Sequence, residues 1–170
     1  MHNDRAEKVR VGRLSWRLFA WAVLLNFPWE MGQVVAYTGT PSALWQTMQD
    51  CGVHSLIDGI LVLGIFWVGV LIFGNVNWMH RPGVGGYVWM GTTGFFLSVV
   101  IELNAVYRLG KWGYRSIMPL VPGLGVGLLP VLQLLVLPPL IFALVSKGVK
   151  GAALRSEIPL TRNSIDAAQQ

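Results

Sequence analysis

The fold is decided by residues 52–73, GVHSLIDGILVLGIFWVGVLIF, in which Asp58 is the one acidic or basic side chain apart from His54. A run of about 20 predominantly apolar residues is long enough to cross the roughly 30 Å hydrocarbon core of a bilayer as an α-helix. Apolar residues cover every face of this helix, whereas a helix on a soluble domain keeps one polar face toward water. The stretch therefore predicts a membrane-spanning helix that carries a carboxyl group.

Three similar apolar blocks accompany this one along the chain, and they predict spanning helices over residues 14–37, 87–108 and 124–145. Only 12% of the 170 residues are charged, whereas about 25% is typical of soluble domains. Residues 43–50, ALWQTMQD, have the mixed character of a short helix at the membrane interface. The expected fold class is thus an all-α integral membrane protein, a four-helix transmembrane bundle with a short interfacial helix between helices 1 and 2.

The apolar blocks also predict the domain organisation. Residues 14–146 form a single membrane domain, residues 1–13 a mobile basic N-terminus, and residues 147–170 a polar tail. A cleaved signal peptide is the alternative for the first block, because basic residues precede it. The apolar stretch continues to Val34-Val35-Ala36 without a clean small-residue cleavage site, so the first block is expected to stay as a helix.

The basic residues predict the orientation of the bundle. With both termini in the cytoplasm, ten of the 13 Lys and Arg residues lie on the cytoplasmic side and three lie around the loop after helix 3. This distribution follows the positive-inside rule and predicts a multi-pass protein of the cell membrane. It also accounts for the net charge of +5 without nucleic acid as a partner. The single cysteine, Cys51, excludes a disulfide within the chain.

Three carboxylates, Glu30, Asp58 and Glu102, lie inside the predicted spanning helices. A carboxylate at the centre of a bilayer costs roughly 2.5–3.5 kcal/mol on insertion scales, so such a residue usually has a partner or a function. With a rise of about 1.5 Å per residue, each of the three lies about 10 Å below the outer surface in the expected topology. The sequence therefore predicts one layer of acids in the outer half of the bundle.

Further polar residues fall in the same layer. Asn26, Glu30 and Gln33 share one face of helix 1, and His54 and Asp58 share one face of helix 2, because residues spaced by three or four positions are neighbours on a helix. Gln133 lies at a similar depth in helix 4. Polar groups of this kind are expected to face the bundle interior rather than lipid.

General acid–base chemistry on an apolar substrate is the leading functional hypothesis. A protonated carboxyl group in a dry pocket can protonate a double bond or an epoxide, and a second carboxylate can stabilise or deprotonate the carbocation. We expect Glu30 to be the acid, Asp58 and Glu102 its catalytic partners, and His54 a proton relay. The expected substrate is a lipid or isoprenoid that undergoes isomerisation or cyclisation. Its pocket is expected to include Asn26, Trp29, Gln33, Gln133 and Trp112.

Two resemblances accompany this hypothesis. The segment Asn26-Phe27-Pro28-Trp29-Glu30 is similar to the N-x-x-W-E element of membrane-bound meroterpenoid cyclases, and this resemblance implies that Glu30 is the acid. The arrangement of four helices with acids in the first three also resembles the sterol isomerases of the emopamil-binding type. The first resemblance covers five residues, and the second covers an arrangement.

Other interpretations stay open at this stage. The polar layer can serve only as hydrogen-bonded contact between helices. A transporter or proton-coupled subunit also places acids at membrane depth, and with four helices it needs a homo-oligomer or a membrane partner. A non-catalytic accessory subunit is the third alternative. Metal binding and aspartic peptidase chemistry are less favoured, because the expected motifs for them are missing. Nucleophilic catalysis by Cys51 would use His54, three residues away, as its base, but a lone interfacial cysteine is more often inert. No cofactor is implied.

Overall fold

The computed structural model describes residues 2–41 and 43–157. Four long helices account for most of these residues, and short 3₁₀, strand and π segments connect them. In chain order the elements are α1 (His2–Gln33), a 3₁₀ turn (Val34–Ala36), β1 (Tyr37–Thr38), α2 (Leu44–Phe73), a 3₁₀ turn (Trp78–His80), α3 (Gly83–Glu102), a π segment (Leu103–Arg108), β2 (Gly113–Tyr114) and α4 (Leu128–Glu157). The all-α prediction is confirmed.

Three stretches of the described chain are long and apolar enough to cross a membrane, namely Leu44–Phe73, Gly83–Arg108 and Leu128–Gly148. Helix α1 is long enough but less apolar, because Arg17, Glu30 and two buried amides interrupt it. Large apolar side chains on the outside of the bundle are open to the surroundings, as at Leu71, which is 80% exposed. Such a surface suits lipid better than water.

Helices α1 and α4 form the centre of the bundle. Helix α1 packs against both α2 and α4, and α4 packs in turn against α3. Two glycines allow the closest approaches. A Cβ atom at Gly59 in α2 would lie 2.8 Å from the ring of Phe19 in α1, and one at Gly94 in α3 would collide with the backbone carbonyl of Leu134 in α4. The backbones of α3 and α4 therefore approach each other directly at Gly94, whereas at Gly59 the ring of Phe19 packs on the backbone of α2.

Helices α2 and α3 contact each other mainly in one half of the bundle. There the indole N–H of Trp89 in α3 donates to the carbonyl of Ile65 in α2 at 3.1 Å, and that of Trp78 donates to the carbonyl of Phe66 at 3.2 Å. Trp78 also packs against Gly69, where a Cβ atom would strike its ring. This aromatic end closes the bundle on the side where α2 ends and α3 begins.

The predicted interfacial helix is wrong as a separate element. Residues 44–50 form the first turns of α2, which continues without interruption through Gly52. A single glycine inside a helix costs only about 1 kcal/mol relative to alanine, and no neighbouring atom crowds Gly52. At the start of the helix the hydroxyl of Thr47 lies 3.3 Å from each of the carbonyl oxygens of Pro41 and Ala43, which accept from it. The helix is therefore longer than a single membrane crossing requires.

The other boundaries differ at the ends of the helices. Helix α1 begins at His2, so most of the N-terminal stretch expected to be mobile is helical, and α4 continues to Glu157, into the predicted tail. Helix α4 begins four residues later than predicted, because Gly123 and Gly125 adopt φ values of +79° and +68°, which a helix cannot contain. The rest of the predicted tail, residues 158–170, lies outside the described residues.

Candidate active site

Two of the three predicted acids meet at one amide. The Nε2 atom of Gln133 in α4 lies 2.9 Å from Glu30 Oε1 in α1 and 2.9 Å from Asp58 Oδ2 in α2. The same nitrogen lies 2.8 Å from Asn26 Oδ1. Gln133 itself is 2% exposed, so this contact is shielded from solvent. Three helices therefore converge on one side-chain amide.

The amide of Gln133 cannot satisfy all of its neighbours at once. An NH₂ group donates two hydrogen bonds, and three oxygens surround this one. Gln33 fixes the opposite end of the amide, since Gln33 Nε2 donates to Gln133 Oε1 at 3.0 Å and also to Glu30 Oε1 at 2.9 Å. The two N–H groups of Gln133 therefore leave one of the three oxygens without a hydrogen bond from this amide.

His54 lies at the edge of this network. Its Nδ1 atom is 3.9 Å from Glu30 Oε2, and its side chain is 45% exposed, whereas that of Glu30 is 13% exposed. The imidazole also packs edge-on against Trp112, with ring centroids 5.7 Å apart. His54 is thus placed between the shielded carboxyl groups and the exterior.

The third acid, Glu102, has different partners. It is 3% exposed and accepts hydrogen bonds from the hydroxyl groups of Tyr37, at 3.4 Å, and Tyr114. Burial, followed by the hydrogen bond to the Glu102 carboxylate, raises the pKa of Tyr114 well above its usual value. Burial has the same effect on the pKa of Tyr37, and the nearby charge of Glu102 adds to it. Both phenols therefore stay protonated and act as donors to Glu102.

A two-residue antiparallel pairing brings the tyrosines together. Tyr37 in β1 pairs with Tyr114 in β2, and their rings lie 5.8 Å apart. The guanidinium of Arg115 holds the turn by donating from Nε to the Tyr37 carbonyl at 2.8 Å. Sequence reasoning missed both tyrosines as site residues, since Tyr37 was expected at the end of a helix and Tyr114 within a loop. Their pairing joins segments far apart in sequence and leaves no local signal.

Glu102 is the last α-helical residue before the π segment Leu103–Arg108. In this segment the amide of Leu109 donates to the carbonyl of Asn104 at 2.9 Å, a bond that spans five residues instead of four. Single π turns inside α-helices are rare and occur frequently at functional sites. Here the segment follows the buried acid directly and leads into the loop that carries Tyr114.

A cavity of about 760 Å³ connects the two clusters. Its wall contains all four predicted catalytic residues, Glu30, His54, Asp58 and Glu102, and three of the predicted pocket residues, Gln33, Trp112 and Gln133. Two predicted pocket residues lie elsewhere. Asn26 is fully buried behind Gln133 and donates to the Ala22 carbonyl, and Trp29 packs against the main hydrophobic core.

The wall also contains polar atoms with no hydrogen-bond partner in the protein. Three such atoms belong to the wall. Two are Gln33 Oε1 and Ser98 Oγ, on residues that are 5% and 2% exposed, and the third is Trp112 Nε1. Ser98 was not singled out from the sequence, although its position one turn before Glu102 on α3 is a signal that points to it. A buried polar group without a partner is uncommon in folded proteins, so the atoms of Gln33 and Ser98 are open to a bound molecule.

The described residues do not bring together three or more His, Cys, Asp or Glu side chains in a way that would hold a metal ion. Cys51 is buried and lines the cavity. No protein-family model, curated protein or solved structure was found to match this chain. The chemistry of the site therefore has to be argued from its own geometry.

Proposed function

We propose that this protein is a membrane enzyme that isomerises or cyclises a lipid or isoprenoid substrate by acid–base catalysis. The observation that carries the proposal is the pairing of Glu30 and Asp58 around one amide nitrogen, at 2.9 Å each, in the wall of a cavity that Glu102 also lines. Two adjacent carboxyl groups with few cations nearby favour a state in which one is protonated and the other is not. Such a pair contains both an acid and a base.

The reaction follows from this pair. The protonated Glu30 carboxyl group transfers its proton to one carbon of a substrate double bond, whose π electrons form the new C–H bond. The neighbouring carbon becomes a carbocation, and in a cyclisation a second double bond of the same substrate attacks it. Asp58 or Glu102 then removes a proton from an adjacent carbon, and the electrons of that C–H bond form the new double bond. No oxidant or reductant is needed.

Proton return completes the cycle. A proton taken up by Asp58 passes back to Glu30, because both carboxyl groups surround the same Gln133 amide. His54, close to Glu30 and partly exposed, is suited to exchange protons between this pair and water. The aromatic ring of Trp112 lines the cavity and offers a face that attracts the carbocation.

The contacts of the site argue against the interpretation that its polar residues serve only to hold helices together by hydrogen bonds. Contact between helices alone is satisfied by partners within the protein, yet three buried polar atoms in the wall, those of Gln33, Ser98 and Trp112, have none. In the topology expected from the basic residues, the cavity lies in the outer half of the bilayer.

Deuterium uptake tests the reaction without knowledge of the substrate. The purified protein, reconstituted in lipid nanodiscs, is incubated in D₂O with an apolar lipid extract from a source strain that lacks this protein and therefore accumulates the substrate. Protonation of a double bond by the enzyme fixes solvent deuterium on carbon. We expect a lipid species whose mass rises by one deuterium and whose chromatographic retention changes.

Matched variants identify the residues responsible. Glu30→Gln and Asp58→Asn keep the size of each side chain but remove the acid and the base, and we expect either change to abolish the labelled product. Asp50→Asn is the control, because Asp50 is an exposed acid of α2 that also borders the cavity. If wild-type protein left the lipids unlabelled and carried a solute or proton flux that depends on Glu30, transport would replace catalysis as the function of this site.

A further inference from the structure

We infer that the cavity binds a neutral lipid alcohol, an apolar chain with a hydroxyl group, which reaches the cavity sideways between α2 and α3. This inference names a substrate class for the site described above and rests on the proposed function only in that respect. Binding of the alcohol is a separate property that is measured without turnover.

The hydroxyl group is inferred from Gln33. Its Nε2 atom is already committed to Glu30 Oε1 and Gln133 Oε1, at 2.9 and 3.0 Å, which identifies the remaining Oε1 atom as the amide oxygen. This oxygen has no partner, and the residue is 5% exposed. An amide oxygen only accepts hydrogen bonds, so the ligand has to supply an O–H or N–H donor. Ser98 Oγ, equally buried and unpartnered, is a second polar contact in the same wall.

Neutrality is inferred from the charges around the cavity. Three carboxyl groups, those of Glu30, Asp58 and Glu102, belong to its wall. In the part of the chain that the structure describes, Lys111 is the only lysine or arginine that lines it, and Lys111 is exposed. An anionic head such as a phosphate would meet like charges and lose its hydration without gaining a buried cation. A cationic head would bind to the carboxyl groups and would leave the Gln33 oxygen without a partner.

The sideways route is inferred from the packing of α2 and α3. These helices are joined at the aromatic end by Trp78 and Trp89, whereas the cavity separates them in the half that holds the acids. The separated edges are apolar and open. Ile57 on α2 is 48% exposed and Val100 on α3 is 53% exposed, and both line the cavity. A lipid chain can thus lie between the helices while its hydroxyl group reaches the polar wall.

Binding of farnesol tests the inference. Tritiated farnesol is bound to the Glu30→Gln protein in nanodiscs, a variant in which the proposed turnover is absent, and is displaced by unlabelled competitors. We expect farnesol itself to compete at least about tenfold better than farnesyl methyl ether, which lacks the donor for the Gln33 oxygen. Farnesyl phosphate is expected to compete at least as poorly as the ether.

A serine pair tests the position of the hydroxyl group. The ligand donates its one hydroxyl hydrogen to Gln33 Oε1, so Ser98 Oγ–H donates to the ligand oxygen. Ser98→Ala is therefore expected to weaken farnesol binding by about tenfold. Ser55→Ala is the matched control, because Ser55 is also fully buried but already donates to the Cys51 carbonyl at 2.6 Å and does not line the cavity. Because Ser98 Oγ has no partner in the protein, its removal breaks no internal bond.

An isoleucine pair tests the route. Ile57→Trp places bulk at the opening, and we expect it to slow both association and dissociation of farnesol severalfold. Ile60→Trp is the control on the same helix, since Ile60 is 62% exposed and lies away from the cavity. Equal rates in the two variants would overturn the sideways route.

Equal competition by the alcohol, the ether and the phosphate, or an equal effect of the two serine variants, would overturn the substrate class. The outcome is separable from that of the proposed function. Deuterium uptake by wild-type protein without selective farnesol binding rejects the alcohol and keeps the enzyme. Selective binding without deuterium uptake rejects the enzyme and keeps the binding site.

Discussion

Replacing Gln133 by methionine tests the central claim about the polar network. Methionine has a similar length and is also unbranched, so the change removes the amide with little loss of volume. In the structure this amide is shared between Asn26, Glu30 and Asp58 and accepts from Gln33. Every one of these contacts disappears, and the acceptors stay buried.

The expected magnitude follows from the number of bonds that can exist at once. Two N–H groups and one oxygen make three simultaneous hydrogen bonds. At an average of about 0.6 kcal/mol for a polar contact between helices in a membrane, the loss is about 2 kcal/mol. If the two donated bonds count as bonds to charged groups, it rises to about 5 kcal/mol. Since a typical protein is stable by about 5–15 kcal/mol, the variant is expected to fold with much reduced stability.

Reversible unfolding in mixed micelles of SDS and a mild detergent, followed by circular dichroism, measures this loss. Gln46→Met is the control, because Gln46 is an exposed glutamine of α2. A loss below about 0.5 kcal/mol, within the range of ordinary surface substitutions, would refute the claim that Gln133 joins the three helices. Equal losses in the two variants would refute it as well.

Three further predictions concern other parts of the structure. Gly94→Ala is expected to destabilise the protein by about 1–3 kcal/mol in the same unfolding assay, because the added methyl group meets the Leu134 carbonyl. Gly91→Ala on the same helix is the control, because its methyl group meets no atom within 4 Å. The raised pKa of Tyr114 means that the folded state keeps this proton after the unfolded state has lost it at about pH 10. The contribution of Tyr114 to the free energy of unfolding is therefore fully present below about pH 10 and falls above it. Tyr114→Phe is expected to reduce that fall in unfolding measurements at pH 9 and about pH 11. An identical fall in both proteins would contradict a raised pKa of Tyr114 in the folded state. His54→Phe is expected to slow deuterium uptake severalfold, because it removes the proton relay, while leaving the fold intact by circular dichroism. An unchanged rate of uptake would exclude His54 as the relay.

The sequence predicts much of this site because helix geometry is regular. A rise of about 1.5 Å per residue was enough to place Glu30, Asp58 and Glu102 at a similar depth, and the structure has all three in the wall of one cavity. The spacing of Asn26, Glu30 and Gln33 likewise predicts a shared face, and all three take part in the Gln133 network. Local periodicity therefore carries most of the information.

Sequence reasoning fails where the chain leaves regular helix. Nothing near Tyr114 indicates that it pairs with Tyr37, because that contact depends on loop closure across most of the bundle. The division of the acids into a Glu30–Asp58 pair and a separate Glu102 depends on the rotation of each helix about its axis, which depth alone does not determine. Trp29 was expected at the pocket for the same reason and packs instead against the core.

The π segment after Glu102 has a consequence for how the length of this chain can change. Each of its hydrogen bonds encloses one residue more than an α-helical bond does, so the segment acts as a local surplus of chain. A deletion in a regular α-helix turns everything downstream by about 100°. Removing one residue between 103 and 108 would instead let the segment return to ordinary α geometry, so the loop with Tyr114 would keep nearly the same direction and Glu102 would keep its partner. This part of the chain is therefore expected to accept the loss of one residue that the regular turns of α3 would not.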